Sequence, residues 1–153
     1  MDLIEFLIEA KKNTYANTGE GGERTLRSGA RELRFKKENL EYIDTYCGFN
    51  PFIGEEIVFE NGKFIWGMNY FGEVFNRNIS FAKKTYSFLK KSMMLVNEKM
   101  PFRGPKSFKE GEFKYKNKFQ GVIKNFHGKE TIFYKGKKVY ELSYHGGLIK
   151  SRF

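Results

Sequence analysis

Apolar residues recur at helical spacing in two stretches of the chain. The first stretch begins after an acidic D-x-x-E start at Asp2 and predicts a helix over about residues 3–13. The second predicts a helix over about residues 80–97, which Pro101 follows as a stop signal. Lysine pairs cover the other face of this second helix, so both helices are expected to bury one side only.

Elsewhere apolar and polar residues alternate with the period of two that is typical of strands. In the first half the alternation runs through residues 31–70 and includes Asn61-Gly62, a strong hairpin signal because both residues accept positive φ. In the second half it predicts four strands, at about residues 112–118, 121–126, 130–134 and 138–144. The turns between them include Gly128 and Lys135-Gly136. The polar, glycine-rich stretch 17–30 is predicted to be a loop.

The two halves also resemble each other. When residues 54–72 are shifted by 74 positions onto 128–146, 7 of the 19 positions are identical. Any two hairpins share some features, but the matches continue in order through a helix and four strands. We therefore interpret the chain as a duplication, with repeat 1 over about residues 2–72 and repeat 2 over about 79–147.

This pattern predicts an α+β fold within one domain, 1–153. Each repeat is expected to form one helix and a four-strand antiparallel meander, and the helix covers one face of the meander. The two copies would associate about a pseudo-twofold axis, either as one extended sheet or with barrel-like closure.

The apolar residues are unusually rich in rings, with 17 Phe, 9 Tyr and 1 Trp. Pockets form preferentially at junctions and are lined by aromatic groups with a few polar ones. The candidates for such a pocket between the repeats come from two matching strands: Trp66, Met68 and Tyr70, and Tyr140, Leu142 and Tyr144. Plain core packing is the alternative for each of them.

The net charge of +10 is unevenly distributed. Residues 1–72 carry −3 and residues 73–153 carry +13. Two interpretations stay open, because lysine enrichment also follows from a biased codon usage. If the charge is functional, the lysines and aromatic rings of FKYKNKF (113–119) are suited to nucleic-acid binding.

Four polar residues are candidates for chemistry. Asp44 lies on the apolar face of its strand, where a carboxylate requires a partner; the partner would be Arg103, or the carboxylate would anchor a loop. Glu56 and Glu130 occupy matching positions, so they would either share acid–base work or hold turns and pair with lysines. His145, beside two glycines, is either a ligand contact or an exposed strand end.

Several classes of site are not expected. The single cysteine, Cys47, permits no disulfide within the chain and is interpreted as a small buried hydrophobe. One Cys and two His are too few for a recognisable zinc site, and no cofactor motif is found. No apolar run approaches the ~20 residues of a membrane span, so a cytoplasmic protein without a membrane partner is expected.

Four segments together resemble a bacterial and archaeal domain family of unknown function. They are AKKNTYA (10–16), IDTYCGFNPFIGEEIVFENGKFIWGMNYFG (43–72), MPFRGP (100–105) and VYELSYHGGLIK (139–150). Members of this family occur alone or C-terminal to XRE-type helix-turn-helix domains, which implies a sensory or regulatory role. This chain differs in the 17–30 stretch, has no helix-turn-helix segment, and inherits no catalytic residues from the family.

The favoured function is a non-enzymatic ligand-binding, sensory or regulatory module. The candidate ligand-binding residues are Trp66, Met68, Tyr70, Asp44, Arg103, Tyr140, Tyr144 and His145. The partners would be a small molecule and a DNA-binding regulator. Nucleic-acid binding through the basic half is the alternative, and an enzyme with carboxylate acid–base residues is the second alternative.

Overall fold

The computed structural model describes residues 1–14 and 23–152. The helix α1 spans Leu3–Asn13, which confirms the predicted bounds, and the Asp2 carboxylate accepts a hydrogen bond from the Glu5 N–H at 3.4 Å. The helix α2 spans Ile79–Met93, and Asn78 caps its first turn. It ends at Met93, before the predicted end at residue 97, because the chain turns directly after Met93 and not at Pro101.

Most of the described chain is β-strand. In the parts of the chain that the structure describes, nine strands are present: β1 Glu23–Thr25, β2 Arg31–Lys37, β3 Leu40–Gly48, β4 Phe52–Glu60, β5 Lys63–Val74, β6 Ser107–Glu110, β7 Phe113–Val122, β8 Asn125–Tyr134 and β9 Lys137–Leu148. They form one antiparallel sheet in the order β1-β2-β3-β4-β5-β9-β8-β7-β6.

The predicted fold class is wrong. The chain is mostly β, with two short helices laid on one continuous nine-stranded sheet, and not an α+β pair of helix-plus-four-strand meanders. Two strands escaped the prediction because β1 and β6 are only three and four residues long. β1 and β6 are the two edges of the sheet, so barrel-like closure is also wrong.

The strand boundaries of the second half differ from the prediction as well. β8 continues through Gly128, where a turn was expected. A Cβ at this position would lie 2.3 Å from the Tyr144 ring, so the glycine makes room for a neighbouring side chain and does not break the strand. Part of the predicted 17–30 loop forms β1. Residues 17–22 of that predicted loop lie outside the described part of the chain.

Both helices pack on the same face of the sheet. On β5, Trp66, Met68 and Tyr70 are buried beneath this layer, whereas Asn69 is exposed on the opposite, open face. The connection between α2 and β6 also crosses the covered face, where the Phe102 ring stacks on Phe126 with centroids 3.7 Å apart. The hydrophobic core therefore lies between one sheet face and this layer. None of the described helices is both long and apolar enough to cross a membrane.

Candidate functional site

A cavity of about 430 Å³ lies between the covered face of β2–β5 and the helix α2. Its volume is within the range of small-molecule sites. The base of this β3–α2 cavity is formed by buried side chains: Leu33, Asp44, Tyr70, Leu89 and Arg103. The cavity therefore combines a closed, mostly apolar end with a carboxyl group and a guanidinium group.

Aromatic rings form the walls of the cavity: Tyr46, Phe49, Phe52 and Tyr86. The Tyr86 hydroxyl of α2 lies 2.7 Å from the Phe49 carbonyl oxygen and 2.9 Å from Asn50 Oδ1, so it connects the helix to the β3–β4 loop. Its ring meets Phe49 and Phe52 edge-on, with centroids 5.3 and 5.7 Å apart. These contacts hold the walls in place without a ligand.

The sharp end of β3 places these rings at the cavity mouth. Gly48 has a φ of 90°, and a Cβ there would lie 2.6 Å from the Pro51 carbonyl oxygen. Only glycine fits this close turn without strain. The turn brings Phe49 and Phe52 to the same side of the cavity.

Asp44 is the central polar group of the base. It shares the covered face of β3 with Leu40 and Tyr42 and accepts a 2.6 Å hydrogen bond from the Tyr70 hydroxyl. Burial, and then the nearby Glu56 charge, raise the pKa of Asp44 to about 7, against the opposing effects of Tyr70, Lys11 and Arg103. Near neutral pH this carboxyl group is therefore divided between its neutral and ionised forms.

Directly opposite Asp44 on β4 lies Glu56, which is fully buried. Its Oε2 accepts a 2.6 Å hydrogen bond from the ammonium of Lys11, which α1 delivers from above the sheet. Burial lowers the pKa of Lys11 even though the Glu56 charge raises it. Glu56 Oε1 has no hydrogen-bond partner. A neutral Asp44 carboxyl, adjacent in register, has the donor that this oxygen lacks.

The second buried glutamate, Glu130 of β8, has a complete set of partners. Arg103 donates to it through Nε at 3.2 Å and Nη2 at 2.6 Å, and the hydroxyls of Tyr115 and Tyr140 also donate. The Tyr115 hydroxyl in turn accepts from the Gly104 N–H at 2.9 Å. Arg103 was predicted to pair with Asp44, but the carboxylate that holds it in two hydrogen bonds is Glu130.

The structure brings together only some of the predicted site residues. Asp44, Tyr70 and Arg103 line the β3–α2 cavity, and the Arg103 guanidinium lies over the Tyr70 ring at 5.3 Å. The remaining aromatic and apolar candidates are buried core residues outside its lining: Trp66, Met68, Tyr140, Leu142 and Tyr144. His145 is exposed on the open face, opposite Asn69 and His127, so it cannot act with the buried carboxylates.

Several residues of the site were missed from the sequence. Lys11 follows Leu7 at a spacing of four on the apolar stripe of α1, so the sequence pattern could have predicted that Lys11 is buried. Three further cavity residues come from α2: Lys83, Tyr86 and Lys90. The pattern did not indicate the role of the two lysines, because lysines on an amphipathic helix normally face solvent. Cys47 is exposed, which corrects the expectation that it is buried. In residues 1–14 and 23–152, no group of three or more His, Cys, Asp and Glu residues is arranged to hold a metal ion.

These features define an antiparallel-sheet protein with one face covered by helices and a ligand-sized cavity beneath α2. The chain belongs to a particular family, the domain of unknown function DUF5680, whose family model matches residues 44–149. The match begins at Asp44 and includes the aromatic walls, α2 and Arg103, but not α1 with Lys11. No curated protein and no solved structure matches the chain.

Proposed function

We propose that this protein is a non-enzymatic module that binds a small molecule in the β3–α2 cavity. The observation that carries the proposal is a cavity of about 430 Å³ with aromatic walls and a buried carboxyl, Asp44, at its base. Ligand sites typically combine such an apolar lining with a few convergent polar groups.

The polar base supports binding more than simple core packing. Burying a carboxyl is costly, and the hydrogen bond that Asp44 accepts from Tyr70 engages its Oδ1 oxygen. Asp44 also lines the cavity, and a ligand with a hydrogen-bond donor would find an acceptor there. This placement is what a recognition site requires.

The role of binding is proposed to be regulatory. The resemblance described under the sequence analysis implies an association with XRE-type helix-turn-helix domains, and on that basis the bound state would be communicated to a DNA-binding partner. The helix α2 is suited to this, because it forms one wall of the cavity and also presents exposed residues outside the cavity lining, such as Lys84 and Lys91.

The proposal is tested by obstructing the cavity mouth. Ser87 is an exposed residue of α2 on the cavity lining, and Lys84 is exposed on the same helix outside that lining. We expect some compounds of a metabolite panel to raise the melting temperature of the wild type and of Lys84→Trp, but not of Ser87→Trp. If no compound distinguishes the two tryptophan variants, ligand binding in this cavity is refuted.

Nucleic-acid binding is a second candidate, favoured by one observation on the open face. Lys114, Lys116 and Lys118 alternate along β7 with buried residues, so all three project from that face, and Lys116 lies 5.5 Å from the Phe133 ring. Lysines that lie beside aromatic rings on an open sheet face are typical of single-strand binding. Replacing the three lysines with glutamine should weaken oligonucleotide binding and reduce its salt dependence; unchanged binding would refute this candidate.

A further inference from the structure

The charges around the β3–α2 cavity point to the chemical class of its ligand. We propose, on the basis of the function proposed above, that the ligand is a planar molecule with an anionic group. Its ring would lie against the aromatic walls, and its anionic group would face Lys83 and Lys90 at the rim.

The rim has two cations without a protein counter-ion. Among the described residues, neither Lys83 nor Lys90 forms an ion pair, although both line the cavity. The other charges of the rim are already paired, since Arg31 lies 3.3 Å from Glu23 and the Tyr46 hydroxyl also hydrogen-bonds to Glu23. An anion at the mouth would therefore meet two available ammonium groups.

The base of the cavity is unsuited to an anion. Asp44 presents a carboxyl group there, and the guanidinium of Arg103 is held by Glu130 through two hydrogen bonds. A negative group of the ligand at this end would face the Asp44 carboxyl, and the nearby cation, Arg103, is already bound to Glu130. The anionic end of the ligand is thus directed toward the rim, and a neutral donor group toward Asp44.

The walls favour a flat body for the ligand. Phe49 and Phe52 each meet the Tyr86 ring edge-on, and the Tyr86 hydroxyl is held by the β3–β4 loop. Rings in fixed positions offer edges and faces to a second planar group, which stacks on them at little entropic cost. A flexible alkyl chain would gain no such match.

A matched pair of fluorescent probes tests the inference. The probes are 8-anilinonaphthalene-1-sulfonate and its uncharged counterpart N-phenyl-1-naphthylamine, which share the same anilinonaphthalene skeleton with its flat naphthalene ring. We expect the sulfonate to bind with one-to-one stoichiometry and more tightly than the neutral probe. Lys83→Gln and Lys90→Gln should each weaken it about two- to fivefold, which corresponds to an exposed ion pair of about 0.4–1 kcal/mol.

The control is Lys84→Gln, which removes the same charge from α2 at a position outside the cavity lining. It should leave the affinity for both probes unchanged, whereas Lys83→Gln should affect only the sulfonate. Equal affinity for the two probes, or equal effects of Lys83→Gln and Lys84→Gln, would overturn the inference.

The Ser87→Trp variant separates this inference from the proposed function. If it abolishes binding of both probes while the lysine variants have no effect, the cavity binds ligands but does not select for an anion. If it binds both probes as the wild type does, the cavity is not the binding site and both proposals fail. Circular dichroism confirms that each variant is folded.

Discussion

Glu56 and Glu130 are two fully buried carboxylates on the same face of one sheet, and their surroundings differ. Glu130 accepts hydrogen bonds from Arg103, Tyr115 and Tyr140. Glu56 is bound by the single ammonium of Lys11, and its Oε1 has no partner. The first is a closed network, and the second is incomplete.

The difference follows from the two cations. A guanidinium is planar, stays charged, and offers several donors that match both oxygens of a carboxylate. An ammonium is a point charge whose pKa shifts readily on burial, as it does downward at Lys11. The Arg103–Glu130 network is therefore suited to hold the fold, whereas the Lys11–Glu56–Asp44 group beside the cavity can change its protonation.

The largest expected effect comes from breaking the closed network. Glu130→Gln removes the charge that balances Arg103 at 2 % exposure, and an unpaired buried charge costs about 3–5 kcal/mol of the free energy of unfolding. Glu56→Gln should cost less, because Lys11 can lose its proton. Urea denaturation measures both values. Equal losses for the two variants would show that the networks do not differ as described.

A pH effect is expected next, from Asp44. Its pKa is raised in the folded state, from 3.8 to about 7, so between these values the folded protein binds the proton that the unfolded chain releases. The contribution of Asp44 to stability therefore falls as the pH rises from about 4 to about 7 and is constant above that. A shift of this size corresponds to a change on the order of 4 kcal/mol.

Asp44→Asn isolates this contribution. An asparagine side chain keeps an acceptor for the Tyr70 hydroxyl and stays uncharged at every pH, like the neutral form of aspartic acid. We expect the variant to match the wild type near pH 4 and to exceed its stability at pH 8. Groups that face Asp44, namely Glu56, Tyr70, Lys11 and Arg103, are unchanged in the comparison. A constant difference between the two proteins from pH 4 to 8 would contradict the assigned pKa.

Hydroxyl deletions give a smaller effect and sharpen the same comparison. Tyr140→Phe removes a 2.8 Å hydrogen bond to Glu130 and should cost about 1.5–3 kcal/mol, because the acceptor is charged. Tyr70→Phe removes the donor to Asp44, and its cost should increase as the pH rises and Asp44 ionises. Thermal or urea unfolding at pH 5 and pH 8 tests this; a pH-independent cost of Tyr70→Phe would contradict it.

The smallest effect is expected at the rim lysines. Lys83→Gln and Lys90→Gln should change the free energy of unfolding by less than about 0.5 kcal/mol, since both residues are exposed and unpaired among the described residues. Urea denaturation of the two variants, with Lys84→Gln as control, tests this. A larger loss would mean that these lysines stabilise the fold, and they would no longer be available for a ligand.

Local features of the chain were predictable from the sequence. The bounds of α1 and the turn at Asn61-Gly62, where φ is 50° and 76°, depend on caps, spacing and backbone freedom within a few residues. The alternation of side chains along a strand likewise accounts for Asn69 on the face opposite Met68 and Tyr70. The burial of Asp44 followed from the same alternation.

Only the tertiary structure decided the rest, because the deciding contacts join residues far apart in the chain. The β5–β9 pairing unites the strands into one sheet, the partner of Arg103 lies 27 residues away, and the cavity is closed by a helix from the other half of the sequence. In the sequence Gly128 indicates a turn, whereas in the structure it is a strand residue that leaves room for the Tyr144 ring. Periodicity along the chain reports which face a residue occupies, but not which neighbour it meets there.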